Sequence, residues 1–80
     1  MNNQELRDKG RDYALRVIEV AKNKGTKIVG VGPLVRKGRS NIVVVFMLGT
    51  TSGAIGVRIP FDNKIVAKAA GSVFAKEAGR

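Results

Sequence analysis

The chain has 80 residues, no cysteine, no histidine and a formal charge of +9, from 15 Lys and Arg against 6 Asp and Glu. This length predicts a single small basic domain spanning residues 1–80, and the missing Cys and His exclude disulfides, Cys/His zinc sites and Ser-His-Asp or Cys-His catalysis. An apolar share of 44% is normal for a globular chain and too high for disorder.

Residues 4–24 have the apolar spacing of an amphipathic helix. Asn2 followed by Glu5 indicates its N-terminal cap, and Gly25 fits the left-handed position just beyond its end. Gly10 is expected to weaken the first half of this helix by about 1 kcal/mol relative to alanine. That end of the helix is therefore expected either to fray or to begin later in the chain.

Three β-branched segments then predict three strands, over residues 26–31, 41–48 and 54–59. Gly32-Pro33 ends the first strand, and Pro60 closes the third, because proline cannot donate a hydrogen bond to a sheet. Residues 34–40 are interpreted as a basic loop that could form a ribbon. Residues 49–53 have the length and composition of a hairpin connection.

A second helix follows, with Asp62 as its expected cap and Gly79 at its end. Phe61 and Val66 have the spacing of a hydrophobic staple around that cap. The order α-β-β-β-α predicts an α+β fold in which two helices pack on one face of a three-stranded antiparallel sheet.

Alternation along the strands divides the apolar residues between two sheet faces. The face expected to meet the helices carries Ile42, Val44, Phe46, Leu48, Ile55, Val57 and Ile59. The opposite face carries Val43, Val45 and Met47, where a two-layer monomer would expose polar residues. We therefore expect a homodimer interface at these three residues; the alternative is that a loop or a chain end folds over them.

The positive charge is concentrated after the first helix. Residues 1–24 hold six basic and four acidic side chains, with spacing that allows Glu5–Lys9 and Asp12–Arg16 pairs, whereas residues 20–61 contain no carboxylate. Unpaired cations attract polyanions because phosphate contacts release condensed counterions. The expected phosphate contacts are Arg36, Lys37, Arg39, Arg58, Lys64 and Lys68; a solvated basic surface is the alternative.

The four aromatic residues favour one mode of nucleic-acid binding. All are assigned to the core or to a cap, namely Tyr13, Phe46, Phe61 and Phe74. None is left to stack on bases, as single-strand readers require. The sequence therefore predicts contact with a duplex backbone, weak sequence preference and steep salt dependence.

Element order and a few residues resemble a double-stranded RNA-binding domain. Gly32-Pro33 follows the first strand, and the second helix opens with Lys64 and then Ala67-Lys68. The resemblance implies that residues 36–39, Lys64 and Lys68 straddle the grooves of an RNA duplex. The chain departs from that family at Val35, which stands where the family has a histidine.

Enzyme motifs are weak. The segment 62–64 matches half of a nuclease site, but no predicted strand supplies the second carboxylate that Mg²⁺ needs. We therefore expect a non-enzymatic nucleic-acid-binding protein without a cofactor, metal or membrane segment. Duplex is preferred, with DNA favoured over RNA by base rate alone, and the expected location is cytoplasmic, including nucleoid- or virion-associated. The alternative is a small interaction or inhibitor factor, including a viral one, for an acidic partner protein.

Overall fold

The computed structural model describes residues 2–38 and 41–79, with Lys37 described in its backbone only. It confirms the α+β class, with two helices and a four-stranded antiparallel sheet in helix-strands-helix order. The elements are α1 (Asn3–Asn23), β1 (Lys27–Val31), β2 (Val35–Lys37), β3 (Asn41–Thr50), β4 (Gly53–Phe61) and α2 (Lys64–Glu77).

The predicted ends of α1 are confirmed. The Asn2 side chain accepts a hydrogen bond from the backbone N–H of Glu5 at 2.8 Å. Gly25 has a φ of 77°, the left-handed conformation that glycine adopts without strain. These two residues fix where the helix begins and where the chain turns toward β1.

The sheet is three strands wide because two short strands share one edge. β4 pairs with β3 over the whole length from Ile42 to Thr50. On the other edge of β3, β1 pairs with its second half and β2 with its first half. Residues 32–34 separate β1 from β2 along this edge of β3. The segment expected as a basic loop therefore contains β2, and Pro60 lies within β4, on an edge strand where proline is tolerated.

The cap of α2 differs from the prediction. Asn63, not Asp62, is the capping residue: its side-chain oxygen accepts from the N–H groups of Ile65 at 2.8 Å and Val66 at 3.2 Å. An uncharged amide therefore replaces the expected carboxylate. The cap lies one residue later than expected, so the predicted staple spacing does not apply.

The core lies between the two helices and the inner face of the sheet. Phe46 of β3 stacks on Phe74 of α2 with ring centroids 4.4 Å apart, and Val44 is buried beside them. Most of the strand residues that were predicted to face the helices lie in this core or pack against it. Ile55 is the exception, because its side chain is exposed although it pairs with Leu48.

Candidate nucleic-acid interface

Basic side chains from both helices line one shallow groove on the outside of the helical layer. Arg7 and Arg11 of α1 lie on one side, and Lys68 and Ser72 of α2 lie on the other, around a volume of about 320 Å³. Three cationic groups and a hydroxyl thus border the same concavity. This is the kind of surface to which phosphate oxygens bind.

Gly10 explains why these side chains meet. It is buried at the crossing of the helices, where an added Cβ would press against the carbonyl oxygen of Val66 and lie 3.0 Å from Cβ of Ala69. A glycine at this point lets the two backbones approach closely. Arg7 and Arg11, three residues before and one after Gly10, are thereby brought beside α2.

A second concavity extends the same surface toward the sheet. Arg36 of β2 and Lys64 of α2 line a volume of about 190 Å³ together with Leu34 and Ile42. Lys64 and Lys68 are four residues apart on α2, so they are neighbours on one helix face. Since one lysine lines each concavity, the two concavities lie on neighbouring parts of α2. We call this surface the cationic strip, and it consists of Arg7, Arg11, Arg36, Lys64 and Lys68.

Few carboxylates neutralise the strip. Arg11 pairs with Asp8 at 3.4 Å, with both side chains at least half exposed, and exposed pairs of this kind contribute about 0–1 kcal/mol. Within residues 2–38 and 41–79, no carboxylate lies within 4 Å of the other four cations of the strip. The pairing expected for Glu5–Lys9 and Asp12–Arg16 is likewise absent there; the second ion pair joins Lys22 to Glu77 at 3.1 Å.

The structure brings together only part of the predicted set. Arg36, Lys64 and Lys68 lie in the strip. Arg58 does not, because its pairing with Val45 places it on the opposite face of the sheet. Arg39 and the side chain of Lys37 lie outside the described residues.

Sequence reasoning missed Arg7 and Arg11. Both lie on a helix that also holds four carboxylates. Because the charge of that helix is nearly balanced, its cations were not predicted to bind phosphate. The sequence signal was that Arg7 and Arg11 are four residues apart and flank Gly10. A glycine in a helix can mark a close crossing, and cations beside it can then face the second helix.

Two further features bear on what this surface can bind. The N–H groups of Ile65 and Val66 are used by the Asn63 side chain, so these amides of α2 are not offered to an anion. No aromatic side chain of the described residues lines either concavity of the strip. Tyr13 instead packs edge-on against Phe61, with ring centroids 5.4 Å apart.

The predicted dimer residues lie on the outer face of the sheet. Val43 is already only 6% exposed, Val45 is half-buried, and Met47 is 37% exposed. Val29 and Val35 add exposed apolar surface beside them. Both helices pack on the inner face of the sheet and so do not cover this one, whereas Gly32, between β1 and β2, lies against Val45.

Metal-ligand clusters and membrane-spanning helices are absent from the part of the chain that is described. No group of three or more acidic side chains there could hold a metal ion. Neither α1 nor α2 is long and apolar enough to cross a bilayer. A scan against protein-family models, a search of curated proteins and a search of solved structures each find no match for this chain.

Proposed function

We propose that this protein binds the phosphate backbone of a nucleic-acid duplex through the cationic strip, without catalysing a reaction. The observation that carries the proposal is that α1, β2 and α2 bring five cations to two neighbouring concavities. An unneutralised cationic surface gains affinity for a polyanion by releasing its counterions. The helical layer thus acts as the binding side.

Three features favour a duplex over a single strand, and backbone contact over base reading. The strip has no aromatic side chain on which a base could stack. Its five cations are spread over two helices and a short strand instead of lying along one helix that could enter a groove. The arginines can fork onto phosphate oxygens, whereas lysines act as point charges. Weak sequence preference follows.

The salt dependence of binding tests this proposal. Fluorescence anisotropy with random duplex DNA, duplex RNA and single strands at several salt concentrations should give the tightest binding to a duplex. With five phosphates engaged, log affinity should fall with log salt at a slope of about −4.5. DNA remains the preferred duplex by base rate, and tighter binding to duplex RNA would instead support the resemblance to a double-stranded RNA-binding domain.

Matched variants locate the contact. The double variant Lys64→Gln, Lys68→Gln should reduce the magnitude of the salt slope by about 2. The control is Lys27→Gln, Arg58→Gln, which removes the same charge from the outer sheet face, because these residues pair with Gly49 and Val45. An equal effect of both double variants would contradict a localised strip.

The second candidate function is binding of an acidic partner protein. The same strip would serve it, because carboxylates also pair with arginine and lysine. Weak, salt-insensitive binding to every nucleic acid in the panel would favour this function over the first.

We also propose that the chain forms a homodimer through its outer sheet face. The support is the uncovered apolar surface at Met47, Val29 and Val35, since contiguous apolar patches on small domains mark interaction sites. Val43 can contribute little new burial because it is already buried. The dimer would carry its two cationic strips on opposite outer sides.

A further inference from the structure

β4 is an edge strand without a partner on its outer side. It is nine residues long and pairs with β3 alone among the described strands. Long edge strands are templates for another strand, because their outward N–H and C=O groups lack partners within the sheet. Natural edges are commonly shortened or protected with charges. Here Pro60 interrupts one end, and Arg58 is the one charged residue.

An open apolar groove of about 420 Å³ runs between α1 and the inner face of the sheet beside β4. Tyr13, Val17 and Val20 line it from α1, and Val57 and Ile59 line it from β4. Val20 is 53% exposed, so the groove is not filled by the chain itself. Side chains from a strand added to β4 would enter this space.

The rim of the groove is positively charged. Arg16 and Lys24 lie along it, and no acidic residue lines it. Neither cation has a carboxylate within 4 Å in the part of the chain that the structure describes. The groove therefore combines an apolar floor with a cationic edge, which suits a ligand that is apolar along its length and acidic where it meets the rim.

We infer that an extended acidic segment of another protein adds to β4 as a strand and buries alternate apolar side chains in the groove. Strand addition takes its affinity from main-chain hydrogen bonds and its specificity from pockets for every second side chain. Charge decides against a second copy of this chain as the occupant. A second copy brings a net charge of +9 to the same cationic rim, whereas an acidic segment has the complementary charge.

The probe for this inference is the peptide acetyl-Glu-Thr-Ile-Thr-Val-Thr-Glu-amide, which places its two apolar residues and both glutamates on the same side of an extended chain. It should bind saturably, shift the amide resonances of β4 in NMR spectra and slow hydrogen exchange along that strand. The same peptide with lysine in place of glutamate should bind more weakly. A version N-methylated at alternate residues should not bind, because it cannot complete the strand hydrogen bonds.

Substitutions in the protein separate the groove from the rest of α1. Val20→Glu places a carboxylate in the groove and should weaken binding of the acidic peptide about tenfold or more. Leu15→Glu makes the same charge change at a position of α1 that is 56% exposed and does not line the groove. This control should change the affinity less than about twofold. Circular dichroism checks that both variants fold.

A further variant tests whether the peptide binds to the cationic strip instead of the groove. The variant Lys64→Gln, Lys68→Gln should bind the peptide as well as the unaltered chain does, because the strip and the groove lie on different sides of α1. Loss of peptide binding in that variant, no binding to the unaltered chain, or equal binding by Val20→Glu and Leu15→Glu would overturn the inference. So would self-association that Val20→Glu abolishes, since a second copy would then occupy the groove. The inference stands or falls independently of nucleic-acid binding.

Discussion

At the scale of single residues, Gly10 has the largest structural consequence. Its sequence context suggests only a weak point in a helix, because glycine is a poor helix former. In the folded chain it is buried, and the missing side chain allows α1 and α2 to cross closely. Glycine at this position therefore disfavours helix formation but favours the packing of α1 against α2.

Replacing Gly10 with alanine should lower the free energy of unfolding by about 1–3 kcal/mol, the usual range for overpacking a core. The Cβ would meet the Val66 backbone, which cannot move aside as a flexible side chain could. Gly71→Ala is the matched control, because its Cβ would lie 4.0 Å from Leu34, an ordinary contact. The control should be neutral or stabilising by up to about 1 kcal/mol. Urea unfolding followed by circular dichroism measures both, and a stabilised Gly10→Ala variant would refute this account of the crossing.

At the scale of elements, the regular strands and helices are the predictable part. The β-branched run of β3 and the apolar stripe of α1 give strong periodic signals, and the structure has both. β2 has only three residues, two of them basic, so it resembles a loop in sequence and is a strand only because β3 pairs with it. The cap of α2 was misplaced because Asp62 and Asn63 are both good capping residues, and local sequence does not choose between them.

The α2 cap gives a test at this scale. Asn63→Ala should cost about 1 kcal/mol of stability, since two N–H groups lose the acceptor that they share. Asp62→Ala should change the free energy of unfolding by less than about 0.5 kcal/mol, because Asp62 is exposed and its side chain does not cap the helix. Thermal or urea unfolding of the two variants side by side provides the measurement. A larger loss in Asp62→Ala would restore the aspartate as the cap.

At the scale of the whole molecule, the chain presents sides of different chemistry. The cationic strip lies over the helices, and the apolar outer face of the sheet lies opposite. Composition and periodicity predicted that a basic surface and an apolar face exist. They did not predict which cations share a surface. Arg58 lies on the outer face of the sheet because it pairs with Val45. Arg7 and Arg11 lie beside Lys68 because α1 and α2 cross closely.

Self-association is the prediction that belongs to this scale. The unaltered chain should sediment as a dimer, and Met47→Lys should shift it to a monomer, because a lysine buried in the interface would lose its hydration without a partner. Leu15→Lys introduces the same charge at an exposed apolar site on α1 and should remain dimeric. A monomeric unaltered chain over the accessible concentration range would remove the outer face as an interface.

The edge-to-face contact between Tyr13 and Phe61 has a spectroscopic consequence. The chain has one tyrosine, no tryptophan and three phenylalanines. Because phenylalanine fluoresces only weakly, most of the intrinsic ultraviolet emission comes from Tyr13, whose ring lines the groove beside β4. A strand that entered the groove would change the solvation of that ring, whereas an anion held on the far side of α1 would leave its surroundings alone. The fluorescence of Tyr13 should therefore respond to a strand that enters the groove and should not respond to an anion bound at the cationic strip.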